Sequence, residues 1–285
     1  MAPNIALRAA PQAALKEEKK DITMTGTAVG DAAPHQRTFK VWRGDKTGGK
    51  MEAYTADITP GMVVLDAIHQ IQATQASDLA CRWNCKAGKC GSCSAEINGK
   101  PRLMCLTRME ALPEGDVTVQ PMKAFPSIRD LVTDVSWNYE VNKKITKFTP
   151  AKPGSRGVAE DGTFRMQQRD VERSQEFRKC IECFLCQDTC HVIRDHDKKD
   201  VFAGPRFFVR AASLEMHPLD TADREPYLKH EGGIGFCNIT KCCTEVCPEH
   251  ITITDNAIIP LKERVADRYY DPVAMLWRWA TGTKG

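Results

Sequence analysis

From Arg37 onward apolar and polar positions alternate. Thr38-Phe39-Lys40-Val41-Trp42 has the period of a strand, and Met51 to Asp57 reads as its hairpin partner. Thr59-Pro60-Gly61 predicts a helix start, with Thr59 as the cap and Pro60 in the first turn. Val64, Leu65, Ile68 and Ile71 fall on one face of that helix. A cysteine-rich loop follows. Ser94 to Ile97, the Asn98-Gly99 turn and Pro101 to Met104 then read as a second hairpin, and Val117-Thr118-Val119 as a last strand. Together they predict a small mixed sheet packed on one helix.

Past Ser127 the strand signals fade, and Ile128-Arg129-Asp130-Leu131-Val132 begins a stretch with helical spacing. Residues 151–162 read as a Pro/Gly-bearing loop. Helical periodicity is expected over 203–216 and again over 258–269, so the second half is mostly helical. The expected division is an extension over 1–35, containing a possible alternative start at Met24, a first domain over 36–127, a helical domain over 128–265 and a tail over 266–285.

Composition narrows the function classes. The 285 residues carry a net charge of +3, with Lys and Arg interleaved among Asp and Glu, which does not point to nucleic acid. Mean hydropathy is −0.41, and no apolar run is long enough to span a bilayer. Lys16 to Lys20 sit where a signal peptide needs an apolar segment. The chain is therefore expected to be soluble by itself and cytoplasmic. The informative count is 13 cysteines, which in a reducing compartment hold metal more often than disulfides.

Eleven of the 13 fall into three sets. Cys85, Cys90, Cys93 and Cys105 follow C-x4-C-x2-C-x11-C, whose first three match the plant-type [2Fe–2S] loop. Such a loop turns tightly and aims amides at sulfur, which Gly88 and Gly91 permit. Lys86 and Lys89 add positive charge there, or simply face solvent. Cys180, Cys183, Cys186 and Cys190 follow C-x2-C-x2-C-x3-C, and Cys237, Cys243 and Cys247 form the third set. In two-cluster ferredoxins the fourth cysteine of that run serves the other cluster. This gives Cys180, Cys183, Cys186 and Cys247 to a [4Fe–4S] cluster, and Cys190, Cys237 and Cys243 to a third. The place where a fourth thiolate would stand holds Thr240, which points to [3Fe–4S], a cluster of lower ligand charge that is easier to reduce. Zinc is the competing metal, but the x4-x2 loop and the four-cysteine run fit paired C-x2-C zinc ligands poorly. Cys81 and Cys242 remain as packing residues, or Cys242 competes with Cys243 as a ligand.

The short Cys93-to-Cys105 spacing, Pro126-x-Ile128-Arg129-Asp130-Leu131-Val132, Cys180-Ile181-Glu182-Cys183, Phe202-x-Gly204-Pro205 and Glu245-Val246-Cys247-Pro248 together resemble the iron–sulfur subunit of succinate dehydrogenase/fumarate reductase, from about Phe39 to about Arg264. The resemblance implies an α+β chain, with an N-terminal β-grasp [2Fe–2S] ferredoxin-like domain followed by an α-helical ferredoxin domain. It implies a FAD-containing flavoprotein partner that holds the dicarboxylate site, a membrane anchor, and electron flow from FAD through [2Fe–2S], [4Fe–4S] and [3Fe–4S] to quinone. The subunit would lie at the cytoplasmic face of the plasma membrane and contribute no general base or nucleophile.

The family's ubiquinone-linked members often carry Pro after the position of Cys190 and tryptophans four and five residues beyond it. This chain has His191, Arg194 and Asp195 there, and Asn238 where the family has His. The difference is more similar to menaquinone-linked members. Cys190, His191, Asn238 and Thr240 are the candidate quinone neighbourhood, although His191 also reads as a surface histidine bonded to the anchor. Met275-Leu276-Trp277-Arg278-Trp279 suits a membrane interface, or packing in the core or against another subunit. Two rival functions stand beside this one: the iron–sulfur part of a heterodisulfide- or glycerol-phosphate-type oxidoreductase, and a free electron shuttle or sensor.

Overall fold

The computed structural model describes residues 35–281 except Arg156. The expected extension, with Met24, lies outside the described residues apart from His35. Strands β1 (His35–Asp45) and β2 (Gly48–Ile58) pair antiparallel along their whole length, from His35↔Ile58 to Asp45↔Gly48. Helix α1 (Val64–Thr74) crosses the sheet, and β3 (Ser94–Ile97) and β4 (Lys100–Leu103) form the second hairpin. Its turn residues Asn98 (φ 49) and Gly99 (φ 73) are both left-handed, as a tight hairpin turn requires. Strand β5 (Val117–Gln120) runs parallel to β1. The sheet order is β4-β3-β5-β1 and onward, with β2 also on β1, which is the β-grasp arrangement expected. Phe39 and Val41 from the sheet and Val64, Leu65, Ile68 and Ile71 from the helix are all at most 1% exposed.

Two local expectations are corrected. The helix starts at Val64, not at Pro60. Thr59 to Met62 instead closes a turn (Met62 N to Thr59 O, 3.2 Å) with Pro60 second and Gly61 at φ +79 third, the places where those two residues favour a turn. The stretch after Ser127 is not helical. It forms β6 (Ser127–Arg129) and β7 (Val132–Thr133), a short hairpin that joins β1 through Asp45↔Arg129. The cause is Asp130 at its corner, 2% exposed and at φ 46. Its carboxylate accepts from Gly44 N at 3.0 Å, Arg43 Nε at 3.1 Å and Ala80 N at 2.8 Å. The sheet thus runs past position 127.

The second half is helical: α2 (Ser136–Lys144), α3 (Gln168–Arg178), α4 (Leu185–Asp188), α5 (His191–Arg194), α6 (Pro205–Glu215), α7 (Glu225–Lys229), α8 (Cys242–Glu245), α9 (Ile259–Tyr270) and α10 (Pro272–Thr281). A π-helical turn, Ile253–Ile258, leads into α9. The apolar core is continuous from Phe39 in β1 to Val265 in α9, so the two halves share one interior. Gly204, at φ +90, brings the start of α6 against Gln187, where a Cβ would overlap the amide. Gln187 is fully buried, accepts from Arg206 N at 3.2 Å and donates to Ala203 O at 3.0 Å. This contact ties α6 to the loop carrying Cys186 and Cys190.

Arg224 is the largest fully buried side chain among the described residues. Its guanidinium holds Asp220 at 2.7 Å and donates to the carbonyls of Thr146 at 2.7 Å and Lys147 at 2.9 Å. Glu215 lies at 3.6 Å, so a buried charge is matched and its donors are used. The expected tail contains α10, which exposes Trp277 (68%) and Trp279 (85%), so these rings do not pack into the chain's own core. No helix among the described residues is long and apolar enough to cross a membrane.

Candidate metal centres

None of the 13 cysteines forms a disulfide. In the first set Cys85 is exposed, Cys90 half-buried, and Cys93 and Cys105 buried. The loop between them turns through Lys86, Gly88 and Gly91, at φ 53, 66 and 67. Ala87 N and Lys89 N both point at Cys85 Sγ, each at 3.3 Å. Burial raises the Cys90 thiol, but hydrogen bonds with Ser92 and Cys85 outweigh it and the net direction is down. Cys93 is pushed up by burial and feels Cys105 and Cys90 as near neighbours.

Cys180, Cys183, Cys186 and Cys247 line one space at the second set, with Phe184 and Arg206 among its walls. These are the four thiols that the crossed assignment groups together. Glu182 and Phe184 adopt left-handed backbone at φ 56 and 61, and Ile251 N points at Cys247 Sγ at 3.4 Å. Arg206 donates to the Glu182 carboxylate, fixing the strained turn from outside. Burial pushes the Cys183 thiol up to about 12 and Cys186 well above its ordinary value.

The third space, at the third set, is lined by Cys190, Cys237 and Cys243, and also by Cys242. His191, Asn238 and Thr240 lie on its wall, as the sequence grouped them, and the His191 Nε2 is buried without a hydrogen-bond partner among the described residues. Ile239 and Lys241 are left-handed at φ 62 and 63. For a β-branched residue such as Ile239 this is a rare, strained conformation. Burial pushes Cys190 up to about 12 and Cys243 up to about 11. Cys243 Sγ lies 3.5 Å from Thr254 Oγ1, while Cys242 Sγ lies 3.4 Å from Thr240 Oγ1.

These features fit iron–sulfur clusters. Alternating right- and left-handed residues present successive amides to one concavity, which favours a bound anion. The thiols of the second and third sets line spaces, as a cluster requires, because each of its irons takes its own sulfur. Buried thiols must lose their protons to ligate, so filling these spaces releases protons.

Comparison with known proteins agrees. Residues 38–140 match the 2Fe-2S iron-sulfur cluster binding domain family, and residues 176–251 the 4Fe-4S dicluster domain family. The fumarate reductase iron-sulfur subunit of Mycobacterium tuberculosis is 32% identical over 207 residues, 70% of this chain and 80% of that one. The chain belongs to the succinate dehydrogenase/fumarate reductase iron–sulfur subunit family. The succinate dehydrogenase iron-sulfur subunit of Bacillus subtilis is 28% identical over 219 residues, 71% of this chain and 81% of that protein. A chain of the Mycobacterium smegmatis Sdh1 complex in the apo form superposes with a TM-score of 0.80 at 63% identity, covering 85% of this chain and 100% of that one. The rival oxidoreductase classes are not favoured by these relatives.

Around the centres of this iron–sulfur subunit the structure adds contacts that the sequence did not show. Asp188 lies between Cys186 and Cys190, and its Oδ1 accepts from Ala124 N at 2.9 Å. Burial, against the pull of that N–H, raises its carboxyl to about 7, and Glu96 adds to the rise. Arg194 reaches Glu96 in β3. Lys89, which had two readings, is 71% exposed at its side chain yet pairs with Glu249 at 3.1 Å, just past Cys247 and Pro248. Ser94 bonds across to the second cysteine loop.

Proposed function

We propose that this subunit relays electrons between FAD of a flavoprotein partner and a membrane quinone, menaquinone being the favoured acceptor. Cys85, Cys90, Cys93 and Cys105 hold [2Fe–2S]; Cys180, Cys183, Cys186 and Cys247 hold [4Fe–4S]; Cys190, Cys237 and Cys243 hold [3Fe–4S]. When bound, the clusters supply one-electron carriers that join a two-electron donor to a two-electron acceptor. The observation that carries the reading is the gathering of Cys247 with Cys180, Cys183 and Cys186 around one space, across a long stretch of chain.

The chain's own residues give each end a face. Trp83 (46%), two residues before Cys85, and Leu106 (49%), directly after Cys105, are exposed apolar side chains and suit docking of the flavoprotein. Phe236 (51%) and Ile239 (39%) are exposed beside the third set, and suit the membrane anchor. Between them His191, Asn238 and Thr240 line the wall on which a quinone headgroup would rest. Exposed Trp277 and Trp279 on α10 add an aromatic surface of the kind found at membrane interfaces. In this reading the subunit sits at the cytoplasmic face, held by the anchor, and binds no dicarboxylate itself.

The test is iron and EPR analysis of the anaerobically purified complex during succinate and dithionite reduction. The expected result is about nine irons per chain, from two, four and three, with three distinct signals. Zinc in place of iron, or only one signal, would remove the proposal.

A further inference from the structure

We infer that Gly91 and Ser94 are positioning residues that clamp the first cysteine loop onto the second and so fix the separation of the first two centres. The inference rests on the proposed cluster assignment and concerns the distance between clusters.

Gly91 lies next to Cys90, at φ +67, in a left-handed turn that only glycine adopts without strain. A Cβ built on it would stand 2.7 Å from the Cα and 2.9 Å from the N of Cys183. Backbone therefore touches backbone, with no side chain between a residue of the first loop and a ligand of the second. Ser94, next to Cys93 and 6% exposed, lies across the same contact. Its hydroxyl is 2.8 Å from Cys183 O and 2.9 Å from Gly91 O. Its single proton serves one carbonyl at a time, and the short distances to both hold the two loops together. The route from Cys93 to Cys183 is then one peptide link, one side chain and one hydrogen bond. Lys89–Glu249 spans the same junction nearer the surface, with the lysine exposed and the carboxylate largely buried.

Tunnelling between centres falls exponentially with their separation, and magnetic coupling between two paramagnetic centres falls with its cube. Small displacements at this junction are therefore measurable even when neither centre is itself disturbed. Gly91→Ala must open the contact from 2.7 Å to at least the 3.4 Å of ordinary packing. Ser94→Ala keeps the glycine turn and removes only the tie to Cys183.

The experiment is EPR of the fully reduced complex, with iron content and unfolding midpoint measured alongside. The expected result is that Ser94→Ala retains wild-type iron and both signals but loses part of the line broadening that the two reduced centres impose on each other. Gly91→Ala is expected to lose more. Ser94→Thr, which keeps the hydroxyl, is expected to retain the broadening. If Ser94→Ala has full iron, both signals and unchanged broadening, the inference is overturned. A wild-type complex lacking either signal would instead overturn the cluster assignment, so the two failures are distinguishable.

Discussion

Arg194 in α5 reaches across to Glu96 in β3, Nη2 to Oε1 at 3.0 Å, and pairs with a carboxylate whose side chain is fully buried. Lys123 approaches the other oxygen at 3.2 Å. Neither contact is aligned as a hydrogen bond, so the attraction is charge against charge in a poorly solvated place. The Arg194 side chain thus turns inward to the ferredoxin sheet.

Arg194→Met is expected to leave Glu96 with Lys123 alone and to destabilise the subunit on the order of 3 kcal/mol. Adding Glu96→Gln should recover much of that loss, because the unmatched charge goes with it. The measurement is a double-mutant cycle on the apparent unfolding midpoint at fixed scan rate. Strict additivity of the two changes would refute the pairing.

Arg224→Lys is expected to be nearly as damaging as Arg224→Met, about 3–5 kcal/mol. A lysine ammonium cannot serve Asp220 and the carbonyls of Thr146 and Lys147 with the planar fork that the guanidinium presents. Resistance to a protease at low concentration reads the effect. A lysine variant as resistant as the parent would count against the fork geometry.

Glu176 joins α3 to the segment after Cys247, accepting from Thr252 N at 2.7 Å and Asn256 Nδ2 at 2.6 Å. Burial raises its carboxyl, but those bonds prevail and hold it below the ordinary 4.5. A depressed folded value means the stabilisation is complete above about pH 4.5 and disappears as pH falls below it. Glu176→Gln should therefore lose stability near pH 6 and lose less, relative to the parent, near pH 4. Unfolding midpoints at both pH values test this, and parallel curves would contradict it.

Cys242 and Cys243 both line the third space, but they differ in setting. Cys243 is 6% exposed and faces Thr254, whereas Cys242 is half-buried and paired with Thr240. Cys243→Ser is expected to abolish the EPR signal of the third centre, and Cys242→Ser to keep it. The opposite outcome would shift the ligand register by one residue.

The cysteine motifs and most of the elements are legible as local patterns. Spacings such as C-x4-C-x2-C and C-x2-C-x2-C-x3-C are local, and the alternation of Phe39 and Val41 or the face of Ile68 and Ile71 is read from neighbours a few residues apart. The remaining features depend on groups far apart in the chain. Asp130 makes a strand corner of a stretch with helical spacing because Gly44 and Ala80 donate to it. Gly91 meets Cys183, Glu96 meets Arg194, and Arg224 finds its carbonyls at Thr146 and Lys147 only once two halves share a core. Periodicity and spacing carry the short-range energies; the pairing of buried polar groups is set by long-range contact, which no local pattern records.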